Sequence, residues 1–200
     1  GSRPKGLVER ARAKGIKIAA MGGAEEQAIK HKQIGCDFVI AVGTEAAGHT
    51  GTTTSMVLWP RIVDAVAPLP VLGAGGIGRG RQLTAALALG CEGAWCGSVW
   101  LKTKQSEVIP EIKAKMFEAR SEDAVLTRSV TGKSCRTLRC AFTDAWDRPG
   151  APAPLPAPLQ ALLWWGQGRT RVERVRAKEF LTYPVGQLVG DMKEETSVRQ

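Results

Sequence analysis

The chain has 200 residues, of which 44% are hydrophobic, and its 28 basic and 19 acidic side chains give a formal net charge of +9. This composition is typical of a globular protein and excludes wholesale disorder and collagen-like repeats, and no apolar run approaches the roughly 18 residues that a membrane span needs. The five cysteines, an odd number, argue against a disulfide scaffold and favour a reducing, cytoplasmic location.

The basic excess does not by itself name a partner. Basic and acidic residues alternate in stretches such as 111–115, which is typical of solvated helix faces. The sequence carries no helix-turn-helix, zinc-finger or aromatic-basic groove pattern, so a nucleic acid is not predicted as a partner. A membrane is not predicted as a partner either, because no apolar run is long enough to span it.

Between residues 15 and 104, short apolar runs alternate with helical segments. The runs cover residues 16–21, 37–42, 71–74 and 93–96, and the helices cover 24–34, 55–66 and 79–89. Each run is too short for a buried helix and is apolar on both faces, a pattern typical of parallel strands covered by helices. The sequence therefore predicts an α/β fold built from consecutive βα units.

Two of the joints between a helix and the next strand match closely. In each, a glycine (Gly35 and Gly90) ends the helix and a cysteine (Cys36 and Cys91) follows at once. We expect these two cysteines to be buried small hydrophobic residues rather than redox or metal-binding groups.

The character of the sequence changes after residue 105. A helix is predicted over 107–120, residues 121–140 are mixed, the proline-rich stretch 147–158 is interpreted as an extended connector, and a further helix is expected around 159–165. The sequence thus predicts two parts, residues 1–105 and residues 106–200.

Two glycine-containing loops that follow predicted strands indicate phosphate binding. The first is the glycine-rich loop 73–80 and the second is the loop 95–98, one strand later. Glycines let the backbone approach a phosphate closely, and the free N–H groups at a helix start are suitable donors. Phosphate held by two adjacent βα loops is typical of (β/α)8 barrels, where those loops follow strands 7 and 8.

A third loop, residues 43–51, places His49 among glycines and small residues just after a strand. A histidine in this position can transfer a proton near neutral pH, although a loop histidine that only makes a local hydrogen bond is the alternative. The second histidine, His31, lies in a basic helical stretch and is assigned no role. Neither histidine has the spacing of a metal ligand, so no metal site is predicted.

At the level of motifs, residues 43–51, 70–77, 85–93 and 95–98 closely resemble the nitronate monooxygenase (2-nitropropane dioxygenase) family of FMN-dependent TIM barrels. The resemblance covers about residues 15–105, and weaker similarities follow at 127–133 and 183–187. It implies a parallel (β/α)8 barrel, FMN as cofactor, and the FMN-dependent oxidation of nitronates by O2 to carbonyl compounds.

The resemblance also implies individual roles. His49 would be the catalytic base that removes the α-proton of a neutral nitroalkane or orients a nitronate. The FMN phosphate would be held by two groups of residues: Ala74, Gly75 and Gly76 on one side, and Trp95, Cys96, Gly97 and Ser98 on the other. The sequence departs from the family pattern at Ala47, where a glycine is usual, and at Thr50, where a basic residue is frequent.

Two alternatives stay open. A flavin-dependent enoyl-ACP reductase would share the barrel, the FMN loops and the histidine, but would also need an NAD(P)H site. If the loops 73–80 and 95–98 follow strands 7 and 8, the four predicted strands are strands 5–8 of a barrel, followed by a helical and irregular C-terminal extension. A complete barrel takes about 250 residues. On that expectation the chain is a fragment, or a half that requires a complementing N-terminal half or a second copy.

Overall fold

The computed structural model describes residues 6–164, Arg174 and residues 177–199. The helices and strands, in chain order, are α1 (Leu7–Ala13), β1 (Ala19–Gly22), α2 (Glu25–Gln33), β2 (Phe38–Val42), β3 (Gly48–His49), α3 (Ser55–Val66), β4 (Val71–Ala74), α4 (Gly80–Ala88), β5 (Gly93–Trp95), α5 (Ser98–Leu101), α6 (Pro110–Glu118), β6 (Ala124–Thr127), β7 (Cys135–Leu138), α7 (Ala141–Asp147) and α8 (Leu159–Leu163). Among the described residues, short 3-10 turns lie over residues 121–123, 178–180 and 187–191.

The chain forms two compact units. The first contains Gly1–Thr44 and Gly51–Trp95, and the second contains Glu45–Thr50 and Cys96–Gln200. The short segment around His49 therefore belongs to the second unit, although both of its neighbours in sequence belong to the first. The division into domains at residue 105 stays a prediction.

The first unit contains a four-stranded sheet in the order β1-β2-β4-β5, and every neighbouring pair is parallel. This confirms the predicted α/β fold with a parallel sheet. Two elements, α3 and β4, have the predicted bounds, and β1 starts three residues later than the apolar run at Ile16. At the start of β1, the N–H of Ile18 donates to the side-chain carboxylate of Asp37 at 2.7 Å, and the ladder begins at the next pair, Ala19 and Phe38.

The helix α3 packs on this sheet through an aromatic ring and a hydrogen bond. The indole Nε1–H of Trp59 donates to the carbonyl oxygen of Ala41 at 3.0 Å. A Cβ atom at Gly73 would lie 3.1 Å from the Trp59 ring, so glycine in β4 lets the ring approach the strand. Both sheet residues are buried, and this contact forms part of the core that holds the strand ends in place.

The cysteines at the two helix-to-strand joints are buried, as predicted. Cys36 is 4% exposed and Cys91 is 3% exposed. Burial raises the pKa of the Cys91 thiol to about 11, because the thiolate would lose its hydration. The side chain therefore stays a neutral, small apolar group at physiological pH.

The second unit contains a three-stranded antiparallel sheet in the order β3-β7-β6. A cluster of buried apolar residues fills its core: Val108, Ile112, Met116, Ala119, Ala124, Leu138, Leu181, Val185, Val189 and Met192. The helix predicted over 107–120 is α6, which starts at Pro110, a residue suited to the first helical turn. The predicted helix around 159–165 is α8 up to Leu163, and its last residue, Trp165, lies outside the described residues.

None of the helices that the structure describes is long and apolar enough to cross a membrane. Over the same residues, no three side chains of histidine, cysteine, aspartate or glutamate lie close enough together to hold a metal ion.

Truncating the core of α3 should destabilise the chain strongly. Ile62 is 0% exposed, so we expect Ile62→Ala to lower the free energy of unfolding by about 2–5 kcal/mol, through lost burial and the cavity that remains. The matched control is Met56→Ala on the same helix, because Met56 is 66% exposed and should cost only about 0.5 kcal/mol or less. Urea unfolding of both variants measures the difference, and equal losses would contradict this assignment of the core.

Candidate functional site

The glycine-rich loop follows β4 and leads into α4. Gly75 and Gly76 have φ angles of 114° and 69°, in the region that side chains with a Cβ rarely occupy. The side-chain Oε1 of Gln82 accepts the N–H groups of Gly78 at 2.8 Å and Arg79 at 3.0 Å. A phosphate in this loop would therefore be met by the amides before Gly78, where the two glycines lie.

The second predicted loop leaves the adjacent strand at the same level of the sheet. Trp95, the last residue of β5, is the register partner of Ala74, the last residue of β4. Its side chain is 48% exposed, an unusual state for a tryptophan at a strand end. The two loops thus start from neighbouring points of the sheet.

The residues after Trp95 belong to the second unit and offer hydrogen-bond donors. The hydroxyl of Ser98 accepts the N–H of Gly186 at 2.9 Å, which leaves the hydroxyl hydrogen to be donated to an anion. Among the described residues, no heavy atom lies within 4 Å of a Cβ built on Gly97, so its surroundings are open. Burial raises the pKa of the Cys96 thiol, and a neutral thiol is compatible with a nearby phosphate.

The predicted catalytic histidine lies in a strand rather than in a free loop. Residues Gly48 and His49 form β3, and they pair with Arg136 and Cys135 of β7. The side chain of His49 is exposed, and its Nε2 lies 2.7 Å from the hydroxyl oxygen of Thr131. An exposed imidazole held by backbone pairing and one side-chain hydrogen bond is suited to proton transfer with a small molecule.

The C-terminal segment supports the residues that precede His49. The N–H of Gln187 donates to the carbonyl oxygen of Glu45 at 3.0 Å. A Cβ atom at Gly186 would lie 2.6 Å from the same carbonyl oxygen, so only glycine allows this approach. Because Gly186 also donates to Ser98, one short segment contacts both the histidine loop and the Ser98 hydroxyl.

A buried cation lies in the strand that pairs with β3. Arg136 is 7% exposed, and its Nη1 donates to the carbonyl oxygen of Ala124. Burial lowers the pKa of this guanidinium, and the carboxylate of Glu45 acts in the opposite direction. The charge is thus partly balanced by the carboxylate at the start of the histidine loop.

Thr50, one of the two departures from the family pattern, has an unsatisfied polar atom. Its Oγ1 is buried and has no hydrogen-bond partner within the part of the chain that the structure describes. Buried polar groups are nearly always paired, so this hydroxyl is suited to contact a bound molecule.

A cavity of about 520 Å³ lies elsewhere in the second unit. Its walls are mainly apolar and include Val108, Ile109, Ile112, Val130, Cys135, Trp164, Phe180, Leu181 and Tyr183. None of the predicted site residues lines it, although Cys135 is the register partner of His49.

The predicted site residues are divided between the two units. Ala74, Gly75, Gly76 and Trp95 belong to the first unit, and His49, Cys96, Gly97 and Ser98 belong to the second. Thr131, Arg136 and Gly186 were not singled out from the sequence. The weak family similarities at residues 127–133 and 183–187 were signals for Thr131 and Gly186, and no signal in the sequence pointed to Arg136.

Comparison with known proteins identifies the family. The sequence profile of the nitronate monooxygenase family matches residues 1–200. A Mycobacterium tuberculosis protein with a provisional name as a monooxygenase is 49% identical over 205 residues, which cover 100% of this chain and 54% of that protein.

Solved structures of similar fold agree with the family match. FabK from Thermotoga maritima superposes with a TM-score of 0.83 at 28% identity, covering 100% of this chain and 63% of that one. Nitroalkane oxidase from Streptomyces ansochromogenes gives a TM-score of 0.82 at 28% identity over 95% of this chain and 56% of that one. The chain thus spans little more than half of the curated relative reported above. On the full-length profile match and these similarities, the chain belongs to the nitronate monooxygenase family.

Proposed function

We propose that this chain is the part of an FMN-dependent nitronate monooxygenase that binds the flavin phosphate and contains the catalytic base. The proposed reaction is the oxidation of an alkyl nitronate by O2 to a carbonyl compound, with a neutral nitroalkane as the precursor. The observation that carries the proposal is the exposed imidazole of His49, which β3 and Thr131 hold in place, in a chain of this family.

The residues present fit an FMN phosphate. In the first unit, Ala74, Gly75 and Gly76 would offer backbone amides from a turn whose positive φ angles need glycine. Trp95 also belongs to the first unit. In the second unit, Cys96, Gly97 and the donor hydroxyl of Ser98 would offer hydrogen-bond donors to a phosphate. The hydroxyl of Thr50, which has no hydrogen-bond partner among the described residues, also fits a bound flavin or substrate.

The roles of the protein groups follow from their chemistry. When bound, a flavin supplies the redox step between the nitronate and O2. The imidazole of His49 takes the α-proton of a neutral nitroalkane, and the electron pair of the C–H bond passes into the nitro group to give the nitronate. The buried guanidinium of Arg136 and the packed Gly186 keep the strand and loop that carry His49 in place.

The same proposal covers the architecture. The four parallel strands would be strands 5–8 of a (β/α)8 barrel, and the remaining strands would come from a complementing N-terminal segment. The substrate site would then be completed by residues outside this chain.

Activity assays separate this function from enoyl reduction. The purified chain, supplied together with the complementing N-terminal segment, should show the visible absorbance of bound flavin and should consume O2 with propionate 3-nitronate. Consumption of NAD(P)H with an enoyl thioester, without nitronate oxidation, would overturn the proposal in favour of an enoyl-ACP reductase. Flavin binding that requires an added N-terminal half would support the half-barrel arrangement.

Two glycine-to-alanine variants, Gly76→Ala and Gly15→Ala, test whether the glycine-rich loop binds the FMN phosphate, and the test needs no activity assay. Gly76 and Gly15 have nearly the same φ angles, 69° and 68°, so alanine at either position should cost about 1–2 kcal/mol of folding free energy. Only Gly76→Ala should also weaken FMN binding, by roughly tenfold, because a strained loop misplaces amides that hold a charged group. Fluorescence titration with FMN measures this, and equal affinities of the two variants would remove the loop from the proposed site.

A further inference from the structure

The hydrogen bond between His49 and Thr131 bears on the tautomer of His49, that is, on which ring nitrogen carries the proton. The distance from Nε2 to Oγ1 is 2.7 Å, well within the range of a strong hydrogen bond. A neutral imidazole has one donor nitrogen and one acceptor nitrogen, so the partner of Nε2 decides which nitrogen is free to accept a proton.

The other contacts of Thr131 favour one direction for this hydrogen bond. Its hydroxyl donates to the carbonyl oxygen of Lys133 at 3.2 Å, and that carbonyl can only accept. The N–H of Lys133 also points at Oγ1, at 3.4 Å. A hydroxyl has a single hydrogen. When Thr131 donates that hydrogen to the carbonyl oxygen of Lys133, its Oγ1 accepts the Nε2–H of His49.

We infer that Thr131 is a positioning residue that holds His49 with its proton on Nε2, so that Nδ1 is the atom that takes the proton from substrate. The inference rests on the proposed role of His49 as the base and deepens it. In the step itself, the Cα–H bond of the nitroalkane breaks, the proton goes to Nδ1, and the electron pair stays on the substrate as a nitronate. The resulting imidazolium keeps the same Nε2–H donor to Thr131, so no hydrogen bond has to rearrange.

The backbone holds both partners of this contact. His49 pairs with Cys135 of β7, and Thr131 lies in the connection that leads from β6 into β7. Gly132 follows with a φ angle of 78°, and its N–H donates to the carbonyl oxygen of Arg128 at 2.8 Å. The turn that carries Thr131 therefore joins β6 and β7, two strands of the same sheet that contains His49.

Histidine NMR tests the inference without any activity. The sequence has two histidines, and His31 is an internal reference because its Nε2 lies 3.0 Å from the carbonyl oxygen of Met21, which can only accept. In the 15N-histidine-labelled chain, both rings should be protonated on Nε2 in the neutral form. Thr131→Val should turn His49 alone into a mixture of tautomers, and Thr131→Ser should restore the single form. Protonation of His49 on Nδ1 in the unmodified chain would overturn the inference.

Kinetics of the flavin-loaded protein test its consequence. Thr131→Val should lower kcat for a neutral nitroalkane by roughly tenfold or more, since general-base catalysis depends on the available nitrogen. KM should change little, Thr131→Ser should retain the rate, and a preformed nitronate should be oxidised normally. An unchanged kcat in Thr131→Val would refute the positioning role. If instead the proposed function were wrong, His49→Ala would retain full turnover, while NMR would still show His49 protonated on Nε2.

Discussion

Replacing His49 with alanine should lower the turnover of a neutral nitroalkane by roughly 10²–10⁴-fold, the usual contribution of a general base. FMN should remain bound, because the residues proposed to hold its phosphate lie on other segments of the chain, in the loops after β4 and β5. O2 uptake by the flavin-loaded variant measures the first effect, and its visible absorbance measures the second. A preformed nitronate should be affected less, because its α-proton has already been removed.

The second histidine provides the control for this experiment. The ring of His31 bonds to the carbonyl oxygen of Met21 and lies on α2, so His31→Ala should leave the turnover of both substrates unchanged. Loss of FMN from His49→Ala would mean that the histidine has a structural role. Equal loss of turnover in both variants would show that the effect is not specific to the proposed base.

Alanine at Gly132 should destabilise the second unit more than any other glycine-to-alanine change proposed above. The φ angle of Gly132 is 78°, and a Cβ atom there would lie 2.2 Å from the carbonyl oxygen of Leu155 and 2.8 Å from the amide nitrogen of Ala157. Both contacts are with backbone, which cannot rotate away. We expect a loss of about 3 kcal/mol or more in the free energy of unfolding, from strain and overlap together.

Gly150 is a matched control for the backbone strain alone. Its φ angle is 80°, and beyond its two chain neighbours no heavy atom of the described chain lies within 4 Å of a Cβ built there. Gly150→Ala should therefore cost only about 1–2 kcal/mol. Chemical unfolding of the two variants separates strain from steric overlap, and similar losses would show that the segment at Leu155 moves aside easily.

Local signals account for what was predicted correctly in the first unit. The helix α3 over Ser55–Val66 and the strand β4 over Val71–Ala74 have the bounds that the sequence indicated, because Pro68 and Pro70 and the glycines after the strand break regular structure. The burial of Cys36 and Cys91 follows from the same glycine-ended joints. The late start of β1 was not predicted, and the hydrogen bond at its start is to the distant carboxylate of Asp37.

The second unit shows where local signals fail. Its sheet joins β3, a strand of two residues, to β7, which lies more than 80 residues further along the chain. A two-residue strand has no measurable alternation of polar and apolar residues, so periodicity cannot reveal it. Residues 121–140 are mixed in character, so the antiparallel pair formed by β6 and β7 was not predicted either.

By itself, the sequence determined the parallel strands, the glycine turns after them, the histidine and the family resemblance, because each depends on residues close together in the chain. Only the tertiary structure decided that His49 is held by the second unit, that Thr131 contacts its Nε2, and that Gly186 packs against the carbonyl oxygen of Glu45. Those contacts join residues separated by 82 or more positions, and their specificity comes from hydrogen-bond direction and steric fit, which no local pattern of residue types records.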